Sequence, residues 1–228
     1  MKDSNKAFSL GVLQLNTHFP RLVGDIGNPD TFDFPVHYEK IASANVSAVI
    51  TEQQIDNSVK ADIMAKIHNL EAKGVNLIVT SCGFLGEIQT QLQSHANVPV
   101  LTSSLLTLAF ARNFLCENEK IGVLTFDQDT LDPRHFAGHF HHDIIIQGIP
   151  KTGALYQTIK QDRTELDSLV ANQEVAEATE ELLSRAPNIK VIVLECTNLS
   201  PYIDTVKSLS CVPVFDLIQA IHWFKHAL

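Results

Sequence analysis

Short apolar runs alternate along this chain with longer segments in which apolar residues recur every three or four positions. The runs have the length of buried β-strands and are residues 8–15, 34–41, 75–80, 98–101, 120–125, 143–147, 190–194 and 212–215. The amphipathic segments have the helical period and are residues 51–73, 86–94, 103–115, 163–184, 201–208 and 216–226. Apolar strands that alternate with such helices predict an α/β fold, in which helices cover both faces of parallel sheets.

The second half of the chain repeats the pattern of the first half. Each half contains an apolar strand, a cysteine, a helical stretch, the tripeptide Val-Pro-Val and a further amphipathic helix. The cysteine and the proline are 17 positions apart in both halves, from Cys82 to Pro99 and from Cys196 to Pro213. This internal duplication predicts two similar α/β lobes related by a pseudo-twofold axis.

We predict that residues 1–101 and 215–228 form the first lobe and that residues 102–214 form the second. Ligands of open α/β sheets bind beyond the carboxyl ends of the strands, so the active site is expected in the cleft between the lobes. Cys82 and Cys196 stand at this position in each half, two residues after the end of a predicted strand and ahead of a predicted helix.

Both cysteines are the leading candidates for catalysis. A helix start offers unpaired N–H groups and a positive partial charge, so we expect lowered thiol pKa values at Cys82 and Cys196. Two thiols that face one cleft from opposite sides suit a two-base proton transfer: one thiolate removes a proton from Cα and the other thiol protonates the opposite face. Cys116 and Cys211 lack this position and are interpreted as small packing residues.

Composition narrows the classes of partner. The 228 residues have a formal net charge of −9, which argues against a surface for nucleic acids or anionic membranes. The segment 1–15 does not resemble a signal peptide, and no apolar run reaches the ~18 residues of a membrane helix. We therefore expect a cytoplasmic protein without a membrane partner. The four cysteines show no CxxC pair and are predicted to be free thiols.

A loop rich in turn-forming residues, 21–35, follows the first strand. Two interpretations are open: a lid or specificity loop in which Asp25 or Asn28 contacts the substrate, or a purely structural connection.

Four histidines cluster in "HFAGHFHHD", at His135, His139, His141 and His142. No cysteine or carboxylate pattern completes a tetrahedral metal site, so a surface or packing role is the prediction, with a substrate contact as an alternative. The sequence predicts no metal site.

"TSCGFLG" (residues 80–86), "LECTNLSPY" (residues 194–202) and the duplication resemble the aspartate/glutamate racemase superfamily. That superfamily also includes hydantoin racemases, maleate isomerases and arylmalonate decarboxylases. The resemblance extends over nearly the whole chain and implies catalysis without a cofactor, with Cys82 and Cys196 as the two acid–base groups. A homodimer is a further expectation drawn from the family.

The resemblance also implies a set of substrate-binding residues for a small carboxylate substrate. These residues are Asn16, Ser81, Gly83, Thr197 and Asn198.

The chain departs from the amino-acid racemases at three places. Gly83-Phe84 replaces the Asn-Thr that usually follows the first cysteine, Asn198 replaces a histidine, and Asn16-Thr17 replaces an Asp-Ser pair that handles the substrate amine. These departures weaken the argument for glutamate as the substrate.

The function predicted from sequence is that of a cofactor-independent racemase or epimerase. It would invert Cα of a small carboxylate such as aspartate or glutamate, or of a hydantoin. One alternative is a maleate-isomerase-like or arylmalonate-decarboxylase-like enzyme, although decarboxylases of this group keep only the second cysteine, and Cys82 is present here. The other alternative is a non-catalytic protein that binds small carboxylates in the same cleft.

Overall fold

Two four-stranded parallel sheets form the framework of the computed structural model, which describes residues 7–228. The first sheet has the order β2-β1-β3-β4 and consists of β1 (Leu10–Leu15), β2 (Val36–Ile41), β3 (Leu77–Thr80) and β4 (Val100–Leu101). The second has the order β6-β5-β7-β8 and consists of β5 (Lys120–Thr125), β6 (Ile144–Gly148), β7 (Ile189–Leu194) and β8 (Val214–Phe215). The predicted α/β fold of two similar lobes is confirmed. The predicted first lobe also includes residues 1–6, which lie outside the described residues.

The central strands have no polar face because helices cover both sides of each sheet. Every residue of β3 is buried, and β5 is buried from Ile121 to Thr125. β1 lies between β2 and β3, with Leu10 opposite Leu77 and Val12 opposite Val79. Central strands in this arrangement must therefore be continuously apolar, because alternation of apolar and polar residues would bury polar side chains.

Within residues 7–228, eight α-helices pack around the sheets. They are α1 (Val46–Val49), α2 (Asn57–Ala72), α3 (Gln89–His95), α4 (Leu108–Ala111), α5 (Ala154–Lys160), α6 (Ser168–Arg185), α7 (Ile203–Ser210) and α8 (Leu217–His226). Among the described residues, no helix combines the length and the apolar character needed to cross a membrane.

The two long helices begin later than the sequence pattern predicts. Asp56 precedes α2 and accepts a hydrogen bond from the Ser58 amide at 2.7 Å. Asp167 precedes α6 and accepts from the amides of Leu169 and Val170. An aspartate in this position satisfies amides that have no partner within the helix, so it fixes the first turn. The predicted starts at residues 51 and 163 are therefore wrong, and a separate helix, α5, precedes α6.

The helix predicted over residues 103–115 is wrong as a continuous element. Its place is taken by α4 between two short 3-10 turns. Thr107 Oγ1 donates to the Ser104 carbonyl at 2.7 Å, and Asn113 Nδ2 donates to the Ala109 carbonyl at 2.9 Å. Such side-chain bonds compete with helical backbone bonds and shorten the element.

Each of the two central cysteines is followed by a 3-10 turn of six residues. The turns are Gly83–Ile88, which leads into α3, and Thr197–Tyr202, which leads into α7. The α-helices therefore begin farther from the cysteines than the sequence pattern predicts.

The end of the chain returns to the first sheet. Leu217 and Ile221 of α8 belong to one apolar cluster with Leu10, Val12 and Leu77. β8, directly before α8, pairs with β7 in the second sheet, so the predicted boundary at residue 215 falls inside a strand. Where the two lobes divide stays a prediction.

Replacement of Leu182 by Ala should destabilise the second lobe. Leu182 is fully buried on α6 and lies against Gly122 of β5, so its removal leaves a cavity that costs about 2–5 kcal/mol of unfolding free energy. Denaturant unfolding followed by circular dichroism measures this loss. The matched variant Leu169→Ala, on the same helix but at a position 82% exposed, should change stability by no more than about 0.5 kcal/mol. Equal losses would contradict the assignment of Leu182 to the core.

Candidate active site

A closed cavity lies between the lobes, at the carboxyl ends of the central strands. In this closed state it holds only about 20 Å³ of space, room for about one water molecule, and it is lined by segments that follow β1, β3, β5 and β7. Cys82 and Cys196 both line it, and each is only 8% exposed. The structure therefore brings together the two residues that the sequence places at equivalent points of the duplicated unit.

The structure places some, but not all, of the substrate-binding residues implied by the family resemblance at the cavity. Ser81, Gly83 and Asn198 line the cavity. Thr197 is buried beside them, and its Oγ1 donates to the Ser81 carbonyl at 3.0 Å, which ties the two lobes together. Asn16 lies in a separate surface depression, where its Nδ2 donates to the Ala42 carbonyl. The side chain of Asn16 is therefore apart from the thiols.

Arg21 is a cavity residue that the sequence reasoning did not single out. Its Nη1 lies 2.8 Å from Asp25 Oδ1, and its Nη2 donates to Thr17 Oγ1 at 3.1 Å. Asn198 Nδ2 donates to the other oxygen of Asp25 at 2.7 Å, and Cys196 Sγ lies 3.6 Å from Asn198 Oδ1. A chain of polar contacts thus connects the guanidinium to the second thiol. The available signal in the sequence was that Arg21 is the only Lys or Arg between residues 16 and 35.

In the loop 21–35, Asp25 and Asn28 have different roles. Asp25 is buried and holds Arg21 and Asn198, whereas Asn28 donates to the Arg21 carbonyl and caps the 3-10 turn Pro29–Thr31. Asp25 therefore positions cavity residues, while Asn28 shapes the loop.

Glu195 is a second functional candidate that was missed, although it directly precedes Cys196. Its carboxyl group is buried and lines the cavity, and Oε2 accepts a hydrogen bond from Thr125 Oγ1 at 2.7 Å. Within residues 7–228, the other oxygen, Oε1, has no hydrogen-bond partner. Burial raises the pKa of Glu195 to about 7, against the opposing effect of the Thr125 hydroxyl. Glu195 is thus a buried carboxyl group that titrates near neutrality.

Gly83 is explained by Glu195. A Cβ atom at position 83 would overlap both Oε1 and the carbonyl oxygen of Glu195. The absence of a side chain lets the segment after β7 pack directly against the segment after β3. The departure from the Asn of amino-acid racemases is therefore a steric requirement of this cavity.

The predicted lowering of the thiol pKa values is wrong for this closed cavity. Burial and, to a smaller extent, the charge of Glu195 raise the pKa of the Cys82 thiol to about 12, while the Phe84 amide and Arg21 oppose this shift. Burial and Glu195 likewise raise the pKa of Cys196, with the Asn198 amide opposing. The six-residue 3-10 turns offer single amides instead of the aligned dipoles of a long helix, so desolvation dominates.

The remaining cysteines and the histidines lie away from the cavity lining. Cys116 and Cys211 are exposed, so their interpretation as packing residues is wrong.

His135 is buried, and its ring packs edge-on against Phe84, with ring centroids 4.8 Å apart. The other histidines of the cluster are half-buried or exposed. Across the described part of the chain, no three His, Cys, Asp or Glu side chains are grouped as metal ligands.

Residues 16–28, hereafter the cavity loop, contribute Phe19 and Arg21 to the cavity lining, so we expect this loop to cover the cavity. Asp162, the second residue after α5, holds the backbone of this loop. One carboxylate oxygen accepts from the amides of His18 and Phe19 at 2.6 and 3.1 Å, and the other lies 2.7 Å from His18 Nδ1. Because Phe19 lines the cavity together with both buried cysteines, release of this contact is expected to open a path for a ligand.

Comparison with known proteins gives the class to which this fold and site correspond. The family model described as Asp/Glu/Hydantoin racemase matches residues 33–224, so the chain belongs to that family, as the sequence motifs predict.

The individual proteins to which this chain is similar have several different activities. A dimethylsulfoniopropionate lyase of Durusdinium sp. clade D is 27% identical over 237 residues, which cover 98% of this chain and 76% of that protein. Among solved structures, an arylmalonate decarboxylase has a TM-score of 0.60 at 15% identity and covers 96% of this chain and 92% of its own. A glutamate racemase of Bacillus anthracis has a TM-score of 0.61 at 14% identity and covers 98% of this chain and 83% of its own. These structures share the fold.

Alkylation should report how tightly the cavity is closed. With iodoacetamide at pH 7, we expect the exposed Cys116 and Cys211 to react well before Cys82 and Cys196, as followed by peptide mass spectrometry. Asp162→Ala removes the contacts that hold the cavity loop, and should accelerate alkylation of the two buried thiols roughly tenfold or more, since hydrogen bonds to a charged group contribute about 1.5–3 kcal/mol.

The control for this prediction is Asp204→Ala, which removes a carboxylate that is 96% exposed on α7. This variant should leave all four rates unchanged. Unaltered reactivity of Cys82 and Cys196 in Asp162→Ala would contradict the assignment of residues 16–28 as the cover of the cavity.

Proposed function

We propose that this protein is a cofactor-independent lyase that cleaves dimethylsulfoniopropionate into dimethyl sulfide and acrylate. The observation on which the proposal rests is the pair of thiols, Cys82 and Cys196, enclosed with one guanidinium in a mostly apolar cavity. The similarity to a dimethylsulfoniopropionate lyase over 98% of the chain supports the choice of substrate.

The reaction is a β-elimination that begins with removal of the α-proton. A cysteine thiolate takes this proton, and the electrons of the C–H bond form the new double bond. The C–S bond to the sulfonium breaks at the same time or after an enolate-like intermediate, and neutral dimethyl sulfide leaves. Arg21 would hold the carboxylate and stabilise negative charge as it develops there.

The apolar cavity favours elimination from a sulfonium. A negative thiolate and a positive sulfonium become a neutral thiol and a neutral sulfide, and such a loss of opposite charges is promoted by a low dielectric. The rings of Phe19, Phe84 and Phe126 line the cavity and would contact the sulfonium methyl groups. An α-ammonium group, by contrast, needs a polar partner, and Asp25 is already paired with Arg21 and Asn198.

Racemisation of an amino acid or a hydantoin is the second candidate. It is favoured by the presence of a thiol from each half of the duplicated unit, because inversion needs an acid–base group on either side of Cα. In a lyase only one thiol has to act as the base, and the other can position the substrate. The homodimer and the absence of nucleic-acid partners stay predictions.

The lyase proposal is tested by the release of dimethyl sulfide, measured by headspace gas chromatography. Wild-type protein should release it from dimethylsulfoniopropionate with equimolar acrylate. Removal of the base, by Cys82→Ala or Cys196→Ala, should lower kcat by at least about a hundredfold in one variant or in both, the usual contribution of a positioned general base. Cys116→Ala is the matched control and should retain full activity.

A parallel assay separates the two candidates. A panel of chiral amino acids and hydantoins in deuterated water should show no exchange of the α-proton if the lyase proposal is correct. Exchange in this panel without release of dimethyl sulfide would instead establish the racemase. If neither activity is found, the non-catalytic carboxylate-binding alternative remains.

A further inference from the structure

At neutral pH both candidate bases are protonated, and a protonated thiol cannot remove a proton from the substrate. Burial keeps the Cys82 and Cys196 thiols protonated, yet the proposed reaction begins with a thiolate. The thiol proton must therefore move to another group inside a closed cavity. His135 lies behind the ring of Phe84, where its Nδ1 accepts from the Asp132 amide, and so it faces away from the thiols.

Glu195 lines the same cavity as both thiols and is the candidate to receive this proton. It is the residue before Cys196, and its Oε1 lies against the backbone of Gly83, the residue after Cys82. The carboxyl group is held through Oε2 by Thr125, which leaves Oε1 buried and without a hydrogen-bond partner in the described structure. A buried polar atom without a partner is unfavourable in a protein interior, so its retention here points to a role in the reaction.

We propose that Glu195 accepts the proton of the cysteine thiol and thereby forms the thiolate that attacks the substrate α-proton. This inference rests on the proposed function. The proton balance closes over one turnover: the S–H proton moves to Glu195, and the thiolate then takes the α-proton and becomes a thiol again. Glu195 finally releases its proton to solvent, which matches the single proton produced when the zwitterionic substrate becomes acrylate and dimethyl sulfide.

The pH dependence follows from the groups that face Glu195. Cys82 and Thr125 face it from the ends of β3 and β5, Cys196 follows it in the chain, and Arg21 and Asp25 face the thiols from the cavity loop. Glu195 and a thiol share one proton, so they titrate as a pair. Because the pKa of Glu195 is about 7, the form of the pair that holds only one proton accumulates as the pH rises through 7. This singly protonated form of the pair then persists until the pair loses its second proton at much higher pH.

A wild-type profile of kcat against pH should therefore rise below pH 7 and change less than about twofold between pH 7.5 and 9. In Glu195→Gln the pair is lost and the thiol titrates alone. The rate should then continue to rise about tenfold per pH unit through this range. The alkylation rates of Cys82 and Cys196 should show the same two profiles. Alkylation needs no substrate, so it tests the role of Glu195 even if the lyase proposal fails.

Two further variants make the outcome decisive. Asp216→Asn alters another buried carboxyl group with a raised pKa, which caps α8 outside the cavity, and it should retain the wild-type profile. Thr125→Val removes the donor that stabilises the charged form of Glu195 and should move the break in the profile to higher pH. An unchanged break near pH 7 in Glu195→Gln would overturn the proposal, and so would an unchanged break in Thr125→Val if Glu195→Gln does not fold.

Discussion

The exclusion of water from the space between the lobes is the constraint on which the site depends. Two thiols and one carboxyl group share this space, and burial shifts each of their pKa values toward the neutral form. Below pH 7 the closed cavity therefore holds little net charge, because the charges of Arg21 and Asp25 compensate each other. A thiolate is favoured there only when a neighbouring group takes its proton or a substrate balances its charge, which links the chemistry to occupancy of the cavity.

The duplicated fold explains how such groups come to share a small volume. β3 and β7 are equivalent strands in the two sheets, and each is followed by a cysteine at the second position after its end. The lobes are then joined by polar contacts next to the cysteines, among them the bond from Thr197 to the Ser81 carbonyl. The same residues that the family resemblance assigns to substrate binding thus also set the distance between the lobes.

Sequence patterns predicted the sheets well and the site only in part. Apolar runs identified the central strands, because buried parallel strands have a local signature, whereas the edge strand β2 was identified despite its polar residues His37, Glu39 and Lys40. The starts of α2 and α6 were missed because single aspartates, Asp56 and Asp167, decide them. Glu195 and Arg21 were missed for a different reason: their importance arises from contacts across the chain, with Gly83 in one case and Asn198 through Asp25 in the other. The direction of the thiol pKa shift was wrong because burial, which the local sequence does not reveal, exceeded the effect of a short turn.

The close contact between Gly83 and Glu195 has a consequence for how this family diversifies. A side chain cannot be introduced at position 83 while the backbone and the carboxyl group of Glu195 remain where they are. Exchange between this cavity and one with an asparagine after the first cysteine therefore requires a shift of the segment after β7 as well as a replacement at position 195. Positions 83 and 195 are expected to vary together among relatives, and this pair can serve to sort two-cysteine members by the chemistry of their cavities.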